Sequence, residues 1–251
     1  MIEEAPGWIV VHKPAGLIVH PKKPGGPRTL WDELRGLLAY ELANGGTLSI
    51  INRLDRETSG VVLIAKEAAA ARRFHTAMQA RAFSKEYVAL AHGWPEWETH
   101  CVEAPILRQG EVLPSAVYLR RMVHERGAPA LTRFRVEKRL DHPRLGRCAL
   151  LRAFPATGRT HQIRVHLAHA GHPIVGDKLY GADPGCYLEF IRTGWTPALE
   201  ERLFMPRHAL HSARLRVEME GVCHDWSAGD VPGDLAAWLA NAVACRGDAL
   251  R

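Results

Sequence analysis

The sequence predicts an α+β fold built around a mixed or antiparallel β-sheet, flanked by helices and loops, and three observations predict it. Short runs of aliphatic and β-branched residues outnumber segments with helical apolar spacing. The two kinds do not alternate as strand, helix, strand. Breaks containing Gly, Pro or Asn separate them. At 251 residues, 47% of them hydrophobic and 24% charged, the chain has an ordinary globular composition and can bury a full-sized core as one domain. The motif-bearing core is expected over about residues 8–220, followed by a C-terminal extension over 221–251.

Trp8 to His12 is a short apolar run broken by Lys13-Pro14-Ala15-Gly16, which reads as a strand entering a loop; a second break covers Pro21 to Pro27. Thr29 is placed to cap a helix in which Leu30, Leu34, Leu37, Leu38 and Leu42 recur at helical spacing, and Asn44-Gly45-Gly46 ends it. Strands follow at Leu48 to Ile51 and Val61 to Ala65, then a helix from about Glu67 to Gln79, and a strand from Phe83 to His92 that carries Lys85 and Tyr87. Thr132 to Leu140 alternates Phe134, Val136 and Lys138 against Arg133, Arg135, Glu137 and Arg139, a strand with one wet, mostly basic face. Arg147 to Phe154 is a further strand. Thr157-Gly158-Arg159 then turns the chain into a helix capped by Thr160, with Ile163, Leu167 and Ala170 inward and Gly171 as its stop. His211 to Met219 places Ala213, Leu215, Val217 and Met219 on one strand face, and Leu235 to Val243 closes the chain as a helix.

Lys and Arg exceed Asp and Glu by 33 to 27, a net charge of +6, which favours a polyanionic partner. Met1 to Pro6 carries Glu3 and Glu4 and does not read as a secretory signal, and no apolar run reaches the roughly 18 residues of a membrane span. A soluble, cytoplasmic protein is expected, with no membrane or protein partner implied and a monomeric state. The five cysteines, Cys101, Cys148, Cys186, Cys223 and Cys245, form no C-x-x-C pair and read as reduced thiols. His161, His166 and His169 are spaced by five and three, with His172 beyond, which is not the i, i+4 spacing of a helical zinc pair. No metal or other cofactor is expected. A metal-dependent nuclease using these histidines and Asp177 is the reading this spacing disfavours. No G-x-S-x-G elbow is present for a serine hydrolase.

Three segments look chemically loaded. Asn52-Arg53-Leu54-Asp55-Arg56-Glu57-Thr58-Ser59-Gly60 is polar between two buried-type strands, which suits an active-site loop. In extended backbone Arg53 and Asp55 share a side while Leu54 packs behind them; a local ion pair is the plain alternative. Thr58, Ser59 and Gly60 read as loop-shaping. The second segment holds Lys85 and Tyr87, and the third runs from Gly158 to Arg164.

The first of these is very similar to the H-R-L-D-R-x-T-S-G signature of the RluA family of pseudouridine synthases. Val11-His12-Lys13-Pro14-Ala15-Gly16 with His20-Pro21 resembles that family's first motif. Gly158-Arg159-Thr160-His161-Gln162-Ile163-Arg164, through Gly171-His172-Pro173-Ile174-Val175-Gly176-Asp177, resembles its third. The resemblance covers about Trp8 to Tyr180, with weaker similarity to Val217. It implies an RNA isomerase with a catalytic aspartate at Asp55, a base-stacking tyrosine at Tyr87 that can also take the C5 proton, and an arginine at Arg164 paired with the aspartate. Arg53 is the residue expected to fill the place vacated by a flipped uridine.

The chemistry stands beside the resemblance. Breaking a glycosidic C–N bond builds positive charge at the anomeric carbon, which a nearby carboxylate stabilises, so Asp55 must be ionised. Burial opposes ionisation and a guanidinium restores it: at an effective dielectric of about 20, unit charges about 4 Å apart attract by about 4 kcal/mol. On this reading, losing Asp55 leaves Arg164 unpaired. Arg56, Lys13, Lys85, Arg159, His161 and Ile163 complete the expected substrate-binding set, Lys13 and Arg159 as phosphate contacts or, preferably, supports for the motif loops. Lys85, Arg72, Arg73 and Arg81 are candidates for RNA backbone contact, and a solvated helix face explains them equally well. Asn52 departs from the signature's histidine, which weakens any role for this position in proton transfer. With the chain starting near the first motif, no N-terminal S4 RNA-binding domain is expected. Structured RNA is the expected partner, ribosomal RNA ahead of transfer RNA; a non-catalytic RNA-binding or RNA-folding protein of the same fold is the rival.

Overall fold

The computed structural model describes residues 1–21, 25–181, 183 and 185–244. The chain is organised as two units, residues 1–86 with 211–230, and residues 87–210 with the chain from 231 onward. Part of the break at Pro21 to Pro27, Cys245 and the end of the C-terminal extension lie outside the described residues. In the first unit come β1 (Glu3–Ala5), β2 (Trp8–Lys13), α1 (Leu30–Leu37), α2 (Ala39–Ala43), β3 (Ser49–Ile50), β4 (Ser59–Ala65) and α3 (Ala68–Gln79). β5 (Phe83–His92) begins in the first unit and runs on into the second. There follow β6 (Thr99–Glu103), β7 (Ile106–Arg108), β8 (Arg121–Val123), β9 (Leu131–His142), β10 (Gly146–Pro155), α4 (Gln162–His169), α5 (Gly185–Thr193) and α6 (Pro197–Leu203). The chain then re-enters the first unit as β11 (Leu210–Met219) and β12 (Val222–Ser227), and ends in the second with α7 (Gly233–Leu239) and β13 (Val243–Ala244).

The first unit is organised on β4, whose sequence Ser-Gly-Val-Val-Leu-Ile-Ala is buried at every position. Such a continuous apolar run belongs to a strand covered on both faces and flanked on both edges. β2 runs antiparallel along one edge, from Trp8 opposite Ala65 to Lys13 opposite Gly60. On the other edge β11 pairs in parallel through His211 and Ser212, while β3 takes the far end of the strand. β1 extends the sheet from β2 and β12 from β11, both antiparallel. α3 turns Ala70 and Phe74 into a core with Val10, Val61, Leu63, Phe83, Leu215, Val217 and Trp226. Trp226 also meets Trp8 edge-on, ring centroids 5.1 Å apart.

Gly60 is required where β4 meets β11. Its φ of +124° is a region L side chains avoid, and a Cβ there would overlap the Ser212 carbonyl.

The second unit is antiparallel. β10 pairs with β5, Ala153 opposite Tyr87, and with β9, which also takes β6 and β13. β7 and β8 form a separate two-stranded ribbon. α4 lies against β9 and β10, and Leu179 and Tyr180 pack with Val165, Ile106, Val117 and Ala130. The C-terminal extension is anchored where the Arg207 guanidinium forks onto Asp234 of α7 at 2.6 and 2.8 Å. The Trp238 ring lies 4.5 Å from that of His142.

Several sequence expectations shift. The helix after Thr29 is two: Thr29 does cap α1, in a capping box with Asp32, but the helix breaks at buried Leu38, leaving Leu37 60% exposed. β4 starts at Ser59, so Ser59 and Gly60 belong to the strand rather than the loop. A register shift between Leu150 and Leu151 displaces β9, and Lys138 is exposed instead of sharing the inward face of Phe134 and Val136. Thr160 does not cap α4: the cap position is His161, in left-handed backbone, with no side-chain cap. The closing helix stops at Leu239, and Val243 is in a strand because it pairs with Asp141 of β9.

Burial separates the thiols. Cys148 and Cys186 are buried, and Cys101 and Cys223 are exposed. Burial, then the charge of Asp141, pushes the Cys148 thiol up to about 11. An alkylating reagent at about pH 8 is therefore expected to label Cys101 and Cys223 in the folded protein and spare Cys148 and Cys186 until denaturant is added. Peptide mass spectrometry after timed labelling checks this; native labelling of Cys148 as fast as Cys101 would contradict it.

Candidate active site

In the first unit the loop carrying Asp55 is held by polar groups that bind backbone. The Asn52 amide donates from Nδ2 to the Val61 carbonyl at 2.9 Å and accepts at Oδ1 from the Leu63 N–H at 2.8 Å, mimicking a strand neighbour of β4. Asn52 is thereby structural. Arg53 is exposed, Leu54 buried and Asp55 half-buried, the alternation expected of an extended segment. The Thr58 N–H donates to the Asp55 carbonyl at 3.2 Å and closes the turn.

Lys13 is wholly buried at the end of β2, and its ammonium donates to three carbonyls: Pro14 at 2.8 Å, Leu17 at 2.9 Å and Arg56 at 3.1 Å. Three donors meet three acceptors, so the charge is solvated by the chain itself. The Gly16 N–H reaches the same Arg56 carbonyl at 2.8 Å, and the exposed Arg56 side chain returns a bond from Nε to the Gly16 carbonyl at 3.1 Å. Lys13 therefore ties the first motif to the Asp55 loop and is not a phosphate contact. His20, of the first motif, is held below its ordinary value by partial burial and then by the charge of Arg53.

Beneath the loop, Ser59 Oγ lies 2.8 Å from His211 Nδ1, and His211 Nε2 lies 3.1 Å from the Gly229 carbonyl. The carbonyl requires a proton on Nε2, so Nδ1 accepts from the serine hydroxyl. Both residues are buried, which makes the pair a brace for the loop. Of the outlying arginines, Arg73 pairs with Glu220 at 3.2 Å, while Arg72 and Arg81 are exposed.

β5 presents Lys85 and Tyr87, two apart and hence on one face, both half-buried. Burial lowers the Lys85 amine from its ordinary value.

In the second unit α4 starts without a side-chain cap, and the turn before it is held by its first residue, Gln162. Its Oε1 accepts from the Arg159 N–H at 3.0 Å and the Thr157 hydroxyl at 2.7 Å, and its Nε2 donates to the Leu131 carbonyl and Thr132 Oγ1, each at 2.9 Å. Arg159 is exposed and donates from Nε to the Pro129 carbonyl at 3.0 Å, a loop support. Ile163 is buried. Arg164 is buried and grips Asp177 with both edges of its fork, Nε to Oδ2 at 2.7 Å and Nη2 to Oδ1 at 2.9 Å. Asp177 is fully buried and its Oδ1 also accepts from the N–H groups of Leu179 at 2.9 Å and Tyr180 at 3.1 Å. Burial would raise this carboxyl; the Arg164 guanidinium, with His208 and the Leu179 N–H, holds it well below the usual range instead. The expectation that Arg164 would be left unpaired without Asp55 is therefore corrected, because Asp177 binds it in any case.

Asp177 enters the sequence reading as the end of the third motif and in the disfavoured nuclease reading, but not as the partner of Arg164, and Tyr180 has no role in the sequence reading. The histidines are engaged: His166 between Thr132 Oγ1 and the Ala104 carbonyl at 2.9 Å each, His161 at 2.7 Å from the Tyr180 hydroxyl, and His172 at 3.0 Å from the His92 carbonyl. Among the described residues no three His, Cys, Asp or Glu side chains are grouped to hold a metal ion, and no helix is long and apolar enough to cross a membrane.

The fold is that of pseudouridylate synthase domains. The structure of human RNA pseudouridylate synthase domain containing 1 superposes with a TM-score of 0.70 at 24% identity, covering 97% of this chain and 87% of that one. Human RNA pseudouridylate synthase domain containing 4 gives 0.69 at 23%, covering 96% and 91%. The sequence pattern of the RNA pseudouridylate synthase family matches residues 7–169, and the chain belongs to that family. Ribosomal large subunit pseudouridine synthase C of Yersinia pestis is 39% identical over 212 residues, 84% of this chain and 58% of the relative. The protein of that name from Escherichia coli (strain K12) is 41% identical over 175 residues, 69% of this chain and 50% of the relative. The chain thus spans about half the length of these curated relatives.

Two substitutions test the architecture. Gly60→Ala is expected to cost at least about 2 kcal/mol, because strain at positive φ adds to the overlap with Ser212. Asp177→Asn removes a buried counter-charge and is expected to cost on the order of 3 kcal/mol at neutral pH. Because the Asp177 carboxyl is depressed in the folded state, its contribution is full above its unfolded value near 3.8 and is lost as pH falls. The stability gap between parent and Asp177→Asn, read by urea unfolding, should narrow from about pH 5 to about pH 2; a gap that widens on acidification would refute the assignment.

Proposed function

We propose that this chain is an RNA pseudouridine synthase that isomerises uridine in structured RNA, with Asp55 as the catalytic carboxylate. The observation that carries the reading is the loop from Asn52 to Thr58, an extended, half-buried aspartate segment inside the family-matched region, built almost wholly from the signature residues. The whole chain is read as one catalytic domain with a core over about residues 8–220. The relatives named for the ribosomal large subunit, at about 40% identity, favour ribosomal RNA over transfer RNA as substrate.

In this reading the uridine leaves the helical stack at a cost of a few kcal/mol, and Arg53, exposed beside Asp55, fills the gap. Tyr87 stacks on the uracil, a contact worth about 1 to 3 kcal/mol, with Lys85 on the same strand face toward the RNA. Asp55 stabilises the positive charge that appears at the anomeric carbon as the C–N bond breaks. The uracil turns, C5 bonds to the same carbon, the C5 proton is lost, with Tyr87 the residue assigned to take it, and N1, freed by the cleavage, ends protonated. Arg164 is the residue to which the resemblance gives the role of counter-charge for Asp55; its own rotamer is held by Asp177. Arg56, Arg159 and His161 border these segments as RNA contacts. Reactant and product are isomers, so the reaction calls for no cofactor.

Tritium released to water from C5-labelled uridine is the direct measurement, made on large-subunit ribosomal RNA and on unmodified transfer RNA. The parent is expected to release tritium from the ribosomal RNA, and Asp55→Ala to lower the rate by at least about a thousandfold with RNA affinity retained. RNA binding and remodelling that are equal in parent and Asp55→Asn, with no release by either, would favour the non-catalytic RNA-binding rival.

A further inference from the structure

Tyr180 has no place in the chemistry above, yet three elements meet on it. Its hydroxyl accepts from the Arg121 backbone N–H of β8 at 2.9 Å and lies 2.7 Å from His161 Nδ1. Its ring lies under the Arg164 guanidinium, 5.0 Å from Cζ to centroid, and is 7% exposed. Its own N–H donates to Asp177, the partner of Arg164.

Asp177 alone holds one edge of the guanidinium in its plane. A carboxylate fork still lets that plane tilt and slide along its far edge, and an aromatic face pressed against it removes that freedom. The two contacts together fix the direction of the remaining Nη1 edge. His161 sits in left-handed backbone at φ 59°, an unfavourable state for a residue with a Cβ, and its ring is fixed by the same hydroxyl. The ring of Tyr180 is thus anchored at its hydroxyl by β8 and α4, and presses its face on the one buried arginine of the third motif. Any buried tyrosine needs partners for its hydroxyl; what sets Tyr180 apart is the buried guanidinium on its ring face, held at the same time by Asp177.

We propose that Tyr180 is a positioning residue for the reaction, setting the orientation of Arg164 through its ring face, with the hydroxyl fixing the ring. The proposal rests on the role given to Arg164 above. The Tyr180 ring acts through the arginine, so removing the ring should fall mainly on turnover; the hydroxyl also holds the ring of His161, so any effect on substrate capture is expected to be small and shared by the phenylalanine and leucine variants.

The test compares Tyr180→Phe, which keeps the ring, with Tyr180→Leu, which removes it; Tyr180→Met replaces the latter if it does not fold. Two readouts are taken: steady-state tritium release, and hydrogen exchange of the Arg164 Nε–H by nitrogen-15 NMR. Tyr180→Leu is expected to lower kcat about tenfold or more with KM within about threefold, and to speed Nε–H exchange by a similar factor, because a small misplacement of a positioned group is costly to the rate. Tyr180→Phe should stay within about threefold of the parent in both. Parental kcat and exchange in the leucine variant, an effect confined to KM, or a phenylalanine variant as impaired as leucine would each overturn the proposal. If the parent releases no tritium, the synthase reading fails on its own, and the exchange measurement still decides whether Tyr180 orients Arg164.

Discussion

Asp177 is a carboxylate with no access to water, and the arrangement of Arg164, Tyr180 and α4 in the second unit depends on its staying ionised there. Desolvation would drive it neutral; a two-pronged guanidinium and two backbone N–H groups reverse that. The same contacts settle three other things: the path of the chain from Asp177 to Tyr180, the rotamer of Arg164, and the seat of α4. A buried ion pair of this kind is seldom a large net contributor to stability, since apolar residues of the same volume can often do as well. Its value lies in carrying a permanent positive charge to a fixed point in a dry place. Gln162, the first residue of α4, ties the turn before the helix to the start of β9 through Arg159, Thr157, Leu131 and Thr132.

The first unit solves a related problem with backbone acceptors. Lys13 spends its three protons on three carbonyls, one of them in the Asp55 loop, and Asn52 uses both ends of its amide on β4. Gly60 brings β4 against Ser212 where no side chain fits, and the Ser59–His211 pair lies directly below. Each device holds the chain around the loop, so Asp55 is placed by the loop as a whole and is half-buried there. The family's signature position occupied by Asn52 illustrates this: an amide that mimics a strand edge holds the loop without any proton chemistry.

Much of the architecture could be read from residue spacing. The strands at Trp8, Val61, Phe83, Arg147 and His211 and the helices after Glu67 and Gly158 declare themselves, because a buried strand or an amphipathic helix must repeat its apolar residues with the period of its own backbone. Shifts occur where a local signal competes with a tertiary one. Thr160 is a good cap residue, but the turn before the helix is fixed by Gln162 through Arg159 and Thr157, and the cap position falls one residue later on a left-handed His161. Leu37 has helical spacing, but the helix breaks at Leu38 and turns Leu37 outward. Lys138 has the parity of an inward residue, and the register shift in the β9–β10 pairing undoes it.

The sequence by itself determined the family, the α+β class and the candidate chemistry, since the Asp55 loop and the Gly158 to Arg164 segment are contiguous and a contiguous motif can be recognised without its surroundings. Only the tertiary structure decided what holds those motifs. Lys13 looks like any cation in a motif until its burial among Pro14, Leu17 and Arg56 carbonyls is seen, and Arg164 binds Asp177, 13 residues on, with Tyr180 beneath it. Such partnerships depend on burial and on distances between separate elements, and neither quantity is carried by the order of residues along the chain.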